Sequence, residues 1–285
     1  MTREVRKVGM IAGSGALPVA IAHDLRRAGM PLYIARISSL SDPALEAFEG
    51  ASFGLGAIGA LFSAFRGAGC DTVVYAGVVR RADPSTLDFD AEGLALLPKV
   101  LSAMREGDDA LLRVFVEATE AAGFKVIGAD EAAGGLLVRA GAYGIHAPQS
   151  STVSDIARGA QVAAAIGAWD VGQGVVVCDG LVLAVEAQEG TDAMLMRVAG
   201  LPEALRGRGD ARRGVLVKRP KPAQERRIDL PTIGLQTIEN AAAAGLIGIA
   251  VEAGAALFLQ QQDAIARADA LGLFVFGFVP EDRAR

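Results

Sequence analysis

The stretch VRKVGMIAGSGALPVAIAHDLRR, residues 5–27, decides the fold. Its apolar run Val5–Ala12 suits one buried strand, meets Gly13, Ser14 and Gly15, and passes into Val19–Arg27, where apolar positions recur at helical spacing. Strand, tight turn and helix open a unit whose next strand lies parallel to the first. The alternation continues, with Leu32–Ile37 and Thr72–Ala76 expected as strands and Pro43–Phe48 and Ile58–Arg66 as helices. Ala91–Arg105 and Asp108–Ala122 follow as consecutive helices, and Phe124–Gly128 as a further strand. A Rossmann-like α/β domain is therefore expected over residues 1–133.

Residues 134–151 are rich in glycine and short polar side chains and are expected to form a linker. A second α/β domain should occupy 152–285, with a helix at Val153–Ile166, strands at Gly174–Val177 and Leu181–Val185, and a helix from Thr191. Its later strands are expected at Val215–Lys218, Ile247–Val251 and Leu273–Phe278. A chain of 285 residues is long enough for two cores. With 52% hydrophobic but only 5% aromatic residues, those cores must be filled mostly by Ala, Val, Leu and Ile.

The net charge of -5 argues against a nucleic-acid partner, which needs a broad basic surface. Apolar patches such as Leu271–Pro280 fall short of the roughly 20 residues of a membrane span, and the N-terminus lacks the apolar core of a signal peptide. A cytoplasmic protein is expected. So apolar a chain is compatible with a homodimer. Cys70 and Cys178 lack metal or disulfide spacing and suit a core, while His23 and His146 are isolated, leaving no support for covalent acyl chemistry.

Five runs carry candidate chemistry. Gly13, Ser14 and Gly15 enter a helix, where bare N–H groups can cradle a phosphate, although the same glycines serve a plain turn. Pro18 replaces the third glycine of a dinucleotide fingerprint, and Arg36 closes the second strand where an acid would face NAD; Arg36 there suits the 2'-phosphate of NADP. Gly77 and Arg80 follow another strand, at the carboxyl edge where α/β ligands bind, and Arg80 can grip a diphosphate or simply be solvated. Asp108 and Asp109 begin a helix, where acids satisfy exposed N–H groups.

The run E-A-Q-E-G-T-D, Glu186–Asp192, leaves a strand with Glu186 and Gln188 on one side and Asp192 in the first turn of the next helix. Such a density of hard oxygens suits Mg²⁺ or Mn²⁺, with a helix cap by Thr191 and Asp192 as the alternative. In K-P-A-Q-E-R-R-I-D-L-P-T-I-G, Lys221–Gly234, prolines 222 and 231 restrict the backbone between them. There Lys221 and Arg227 can neutralise phosphate, Gln224 can orient a hydroxyl or water, and Asp229 can bind metal or deprotonate water.

These two runs, with I-A-G-S-G-A-L-P (11–18), A-G-V-V-R-R (76–81) and G-D-D-A-L-L-R (107–113), resemble the LpxI family of UDP-2,3-diacylglucosamine pyrophosphatases along the whole chain. The resemblance implies two domains with the substrate between them and metal-dependent attack of water on the β-phosphate, in lipid A biosynthesis. It also implies a lipid-linked UDP-sugar substrate met in transient contact with the inner-membrane surface. On this reading Asp229, Gln224 and Lys221 are the catalytic candidates, and Asp229, Asp192 and Glu189 the metal candidates. Gly13, Ser14, Gly15, Gly77, Arg80, Gln188, Gly190, Thr191, Arg227 and Thr232 would contact substrate, while the role of Glu225 stays open. An NADP-dependent oxidoreductase and a non-catalytic nucleotide-sugar or lipid carrier are the rival readings. Asp229→Ala is expected to abolish turnover while preserving the fold and substrate binding; near-normal activity in a product assay would remove Asp229 from the catalytic list.

Overall fold

The computed structural model describes residues 7–79, 82–209, 211–222 and 224–280. The chain divides into two compact units, the first comprising residues up to Gly135 together with Glu225–Asp229, the second comprising Leu136–Gln224 and the chain from Leu230.

The first unit runs β1 (Val8–Ala12), α1 (Ala16–Arg27), β2 (Leu32–Ile37), β3 (Gly50–Phe53), α2 (Ile58–Gly67), β4 (Thr72–Ala76), α3 (Ala91–Ala103), α4 (Asp108–Ala121), β5 (Lys125–Ile127) and the short α5 (Ala129–Ala132). Its five strands are all parallel in the order β3-β2-β1-β4-β5, a Rossmann-like arrangement. Pro43–Ala47 forms a tight 3-10 turn in place of the expected helix, because the chain must reverse within a few residues to lay down β3. One face of the sheet packs Ile11, Ala35 and Val73 against Phe62 and Phe65 of α2 and against Phe124. Gly9 makes this possible, since a Cβ there would stand 2.9 Å from the Phe65 ring.

The second unit runs β6 (Gly141–Tyr143), α6 (Ser150–Ala168), β7 (Gly174–Cys178), β8 (Leu181–Val185), α7 (Gly190–Ala199), β9 (Val215–Lys218), β10 (Thr232–Ile233), α8 (Leu235–Ala243), β11 (Gly248–Glu252), β12 (Leu257–Phe258), α9 (Gln261–Leu271) and β13 (Phe274–Phe278). Six strands form a mixed sheet in the order β6-β13-β11-β9-β7-β8. The strands β9, β11 and β13 are parallel, whereas β7 opposes both of its neighbours and β6 opposes β13. The β7–β8 reversal is a two-residue hairpin: Asp179 and Gly180 both have positive φ, 49° and 78°, the combination a type I′ turn requires.

Alternation along the strands sorts the sheet's two faces. Val176, Leu216, Ile249, Val251 and Val275 join the core with Met194, Ile238 and Ala264 from α7, α8 and α9. Val215, Val217 and Ala250 meet Ile156 and Ala160 of α6 on the other face. The α6 helix lies close because Gly159 sits over the sheet; a Cβ there would be 2.5 Å from Val217. The stretch 134–151 is not a free connector. It holds β6, and Val138 exchanges backbone hydrogen bonds with Ala256 and Gly254 within the second unit. Cys70 and Cys178 are buried, and burial pushes both thiols up to about 11.

The turns after β1 and β4 interlock through Gly77, whose φ is +85° and whose Cβ, if present, would stand 2.5 Å from the Ser14 carbonyl oxygen. Gly77→Ala is therefore expected to destabilise the protein by about 1–3 kcal/mol; a urea midpoint equal to that of the parent protein would show that the turn is relaxed.

Candidate functional site

At the carboxyl edge of the first sheet, the strand order reverses between β1 and β4, the place where α/β sheets receive ligands. Gly13 N–H donates to Ala76 O at 2.8 Å, and Ser14 and Val78 exchange backbone hydrogen bonds of 3.0 and 2.9 Å. The Ser14 hydroxyl also donates to Val78 O at 2.9 Å. Both donors of Ser14 thus serve the turn itself, and Gly13 is required by the approach of Val78 O, 2.7 Å from where its Cβ would lie. The anion-binding capacity lies one step further on. The α1 helix starts at Ala16 behind the N-cap Gly15, with φ 96° and no side-chain cap, so the first turn presents the N–H groups of Ala16 and Leu17 and the positive helix end, Pro18 having no N–H. Arg36 donates through Nη1 to the carbonyls of Leu45 and Phe48, at 3.2 and 3.4 Å, which ties it to the Pro43–Ala47 turn. Arg80 lies outside the described residues.

At the carboxyl edge of the second sheet, Lys218 ends β9 with only 4% of its surface exposed. Its ammonium donates to Thr191 Oγ1 at 2.8 Å and to Thr232 O at 3.2 Å, and Thr191 in turn donates to Glu186 Oε1 at 2.9 Å. One buried lysine thus joins the Glu186–Asp192 run to the Pro231–Gly234 end of the other run. Glu186 is buried because Gly172 and Gly174 clear space for it; a Cβ at Gly174 would be 2.4 Å from Glu186 Oε2. That oxygen has no hydrogen-bond partner among the described residues.

The expected ligands flank this cluster on the exposed start of α7. Glu189 is paired with Arg197, which also donates to Val185 O. The Glu189 carboxyl is held low, first by its own backbone N–H and then by Arg197. Asp192 accepts from the Asn240 side chain at 2.8 Å, and Gln188 is exposed, beside the half-buried Gly190 and Thr191. Lys221 is ion-paired with Asp170. Gln224 closes a turn with it, accepting from Lys221 N–H at 2.9 Å and donating its own backbone N–H to Lys221 O at 3.2 Å. Gln224 is therefore buried in a supporting position. A second charged pair, Arg219 with the fully buried Glu252 at the end of β11, stands on the same edge at 2.9 Å.

The segment Glu225–Asp229 belongs to the first unit. Glu225 N–H donates to Asp109 Oδ1 at 2.6 Å, and the backbone N–H groups of Ile228 and Asp229 donate to Glu225 O at 3.1 and 3.0 Å. Arg227 donates from Nε and Nη2 to the two Glu225 carboxylate oxygens, each at 2.8 Å, and from Nη1 to Glu120 at 2.7 Å. The guanidinium expected to hold a diphosphate is thus engaged by two carboxylates, which raise its pKa. Among the described residues no three His, Cys, Asp or Glu side chains gather as a metal-holding group. Asp229 lies with the first unit, and Glu189 and Asp192 lie with the second.

The Arg227 guanidinium holds the Glu225 carboxyl below the ordinary glutamate range, against the opposing effect of partial burial. A folded value below the unfolded one means that the contribution to stability is complete above about pH 4.3 and is lost as pH falls through the lowered folded value. Glu225→Gln is expected to flatten the acid limb of a plot of Tm against pH. An acid limb identical to that of the parent protein would show that this pair contributes nothing.

Residues 7–136 match the LpxI N-terminal domain and residues 139–276 the LpxI C-terminal domain. A protein of Caulobacter vibrioides (strain ATCC 19089 / CIP 103742 / CB 15) named UDP-2,3-diacylglucosamine pyrophosphatase LpxI is 52% identical over 279 residues, covering 98% of this chain and 100% of that protein. With both domains matched in order and a relative this similar from end to end, the chain belongs to the LpxI family.

Proposed function

We propose that this chain hydrolyses UDP-2,3-diacylglucosamine to UMP and 2,3-diacylglucosamine 1-phosphate, a step of lipid A synthesis, by attack of water on the β-phosphorus. The observation that carries this reading is the similarity to the Caulobacter protein of that name, which covers 98% of the chain. The water oxygen bonds to the β-phosphorus, the bond from that phosphorus to the bridging oxygen breaks, and the bridging oxygen departs with UMP. Asp229 takes the proton of the attacking water.

Each carboxyl sheet edge carries groups suited to a nucleotide diphosphate. The N–H groups at the start of α1, which the Gly13–Ser14–Gly15 turn and Gly77 orient, bind phosphate. Lys221, Gln188, Gly190, Thr191 and Thr232 hold the substrate, and Gln224 keeps the Lys221 turn in shape. Mg²⁺ or Mn²⁺ would be held through one or two protein carboxylates plus substrate phosphate. The ion's charge would offset the charge developing on the phosphoryl oxygens. The acyl chains anchor the substrate in the inner-membrane surface, which the enzyme meets transiently from the cytoplasm; no helix among the described residues is long and apolar enough to cross a membrane.

Phosphorus NMR of the purified protein with UDP-2,3-diacylglucosamine in ¹⁸O-labelled water, with and without Mg²⁺ or Mn²⁺, tests the proposal. Metal-dependent UMP with label on the sugar phosphate is expected. Label in UMP overturns the side of attack, metal-independent turnover overturns the ion's role, and unchanged substrate under every condition overturns the hydrolase.

A further inference from the structure

Asp109, Glu120 and Glu225 have no part in the reaction as proposed, yet all three hold the segment that carries Asp229. An acid in the first turn of a helix ordinarily serves that helix's own N–H groups. In α4 the N-cap Gly107 has no side-chain hydrogen bond, and Asp109 is turned to other partners. Its Oδ2 is fixed by Arg113 one turn along, and its Oδ1 accepts the Glu225 N–H at 2.6 Å. Eleven residues later on the same helix, Glu120 accepts Arg227 Nη1 at 2.7 Å. Eleven residues make just over three turns at about 3.6 residues per turn, so the two acids share one face of α4 about 16 Å apart.

We infer that Asp109 and Glu120 are positioning residues: α4 acts as a rail with two attachment points that, through Glu225 and Arg227, fix the turn from which Asp229 emerges. A single attachment would leave the five-residue segment free to pivot, whereas two separated ones fix its position and its orientation. Glu225 is engaged at each polar group: its N–H is on Asp109, its carbonyl takes the N–H groups of Ile228 and Asp229, and its carboxylate holds Arg227 at both oxygens. Arg227 is then a tie between Glu225 and Glu120 and not a grip on the substrate diphosphate. The kinetic consequence rests on the proposed role of Asp229 in hydrolysis.

The test compares the full-length parent protein with Asp109→Ala, Asp109→Asn and Glu120→Ala, reading kcat and KM for UDP-2,3-diacylglucosamine and hydrogen–deuterium exchange of the 225–229 backbone. Misplacing a reacting group by about 1 Å costs on the order of a hundredfold in rate. Both alanine variants are therefore expected to lose about that much in kcat, with KM little changed and with faster exchange confined to 225–229. Asp109→Asn keeps the acceptor oxygen and is expected to retain kcat and protection. A normal kcat in both alanine variants, or a raised KM with kcat intact, overturns the inference, as does equal loss in Asp109→Asn and Asp109→Ala. Absence of turnover by the parent protein overturns the proposed function instead. Exchange then decides the positioning alone: faster exchange in the alanine variants supports it, and unchanged exchange overturns it.

Discussion

A lysine ammonium removed from water must find acceptors, and those that Lys218 finds determine how the second unit presents its carboxyl edge. Lysine is almost never fully buried unless paired, because the desolvation penalty is large. Here the charge is answered by a threonine hydroxyl on α7 and a carbonyl on β10, with Glu186 behind the threonine. Hydrogen bonds to a charged donor are directional and strong, so the first turn of α7 and the start of β10 are both referred to the end of one central strand. Arg219 and Glu252 repeat the device one residue on. A sheet edge built only for stability would be apolar there. Two largely buried charged assemblies thus stand together at the end of the central strands, each held in place by its partners.

The first unit works by a different constraint, steric and not electrostatic. Its ligand edge is formed by two turns that touch through bare backbone, and Gly13 and Gly77 are explained by each other before any ligand is considered. This changes the meaning of the glycine signal. The glycines make room for the Ser14–Val78 pairing, and the pairing orients the uncapped start of α1. The phosphate contact proposed above would then belong to that helix end and not to the glycines one by one.

Much of this architecture was legible in the sequence because buried strands and amphipathic helices leave periodic traces. Leu32–Ile37, Thr72–Ala76, Leu181–Val185 and Val215–Lys218 were expected with the bounds they have. The two-residue strands β10 and β12 leave no such trace, and α8 and α9 were not anticipated although their apolar faces complete the larger core. Asp179-Gly180 was an available hairpin signal, which would have marked β7 and β8 as antiparallel. At the sheet edges, sequence singled out runs of polar residues but could not apportion roles within them. Arg227 looks like a phosphate ligand until Glu120, far away in the chain, is seen to meet it. Lys218 looks like the polar end of a strand until its partners on α7 and β10 are placed. Such roles depend on contacts between distant segments, which local patterning does not encode.

The match to the LpxI C-terminal domain runs from 139 to 276, yet Glu225–Asp229 within it folds as part of the other unit. The two halves are consequently not interchangeable modules. Cutting the gene between the two matched domains would separate Glu225 and Arg227 from the helix face that receives them, and a hybrid joining halves from two relatives would need Asp109 and Glu120 to suit an incoming segment they had never accompanied. Inheritance of the pair as one piece is built into where five residues dock.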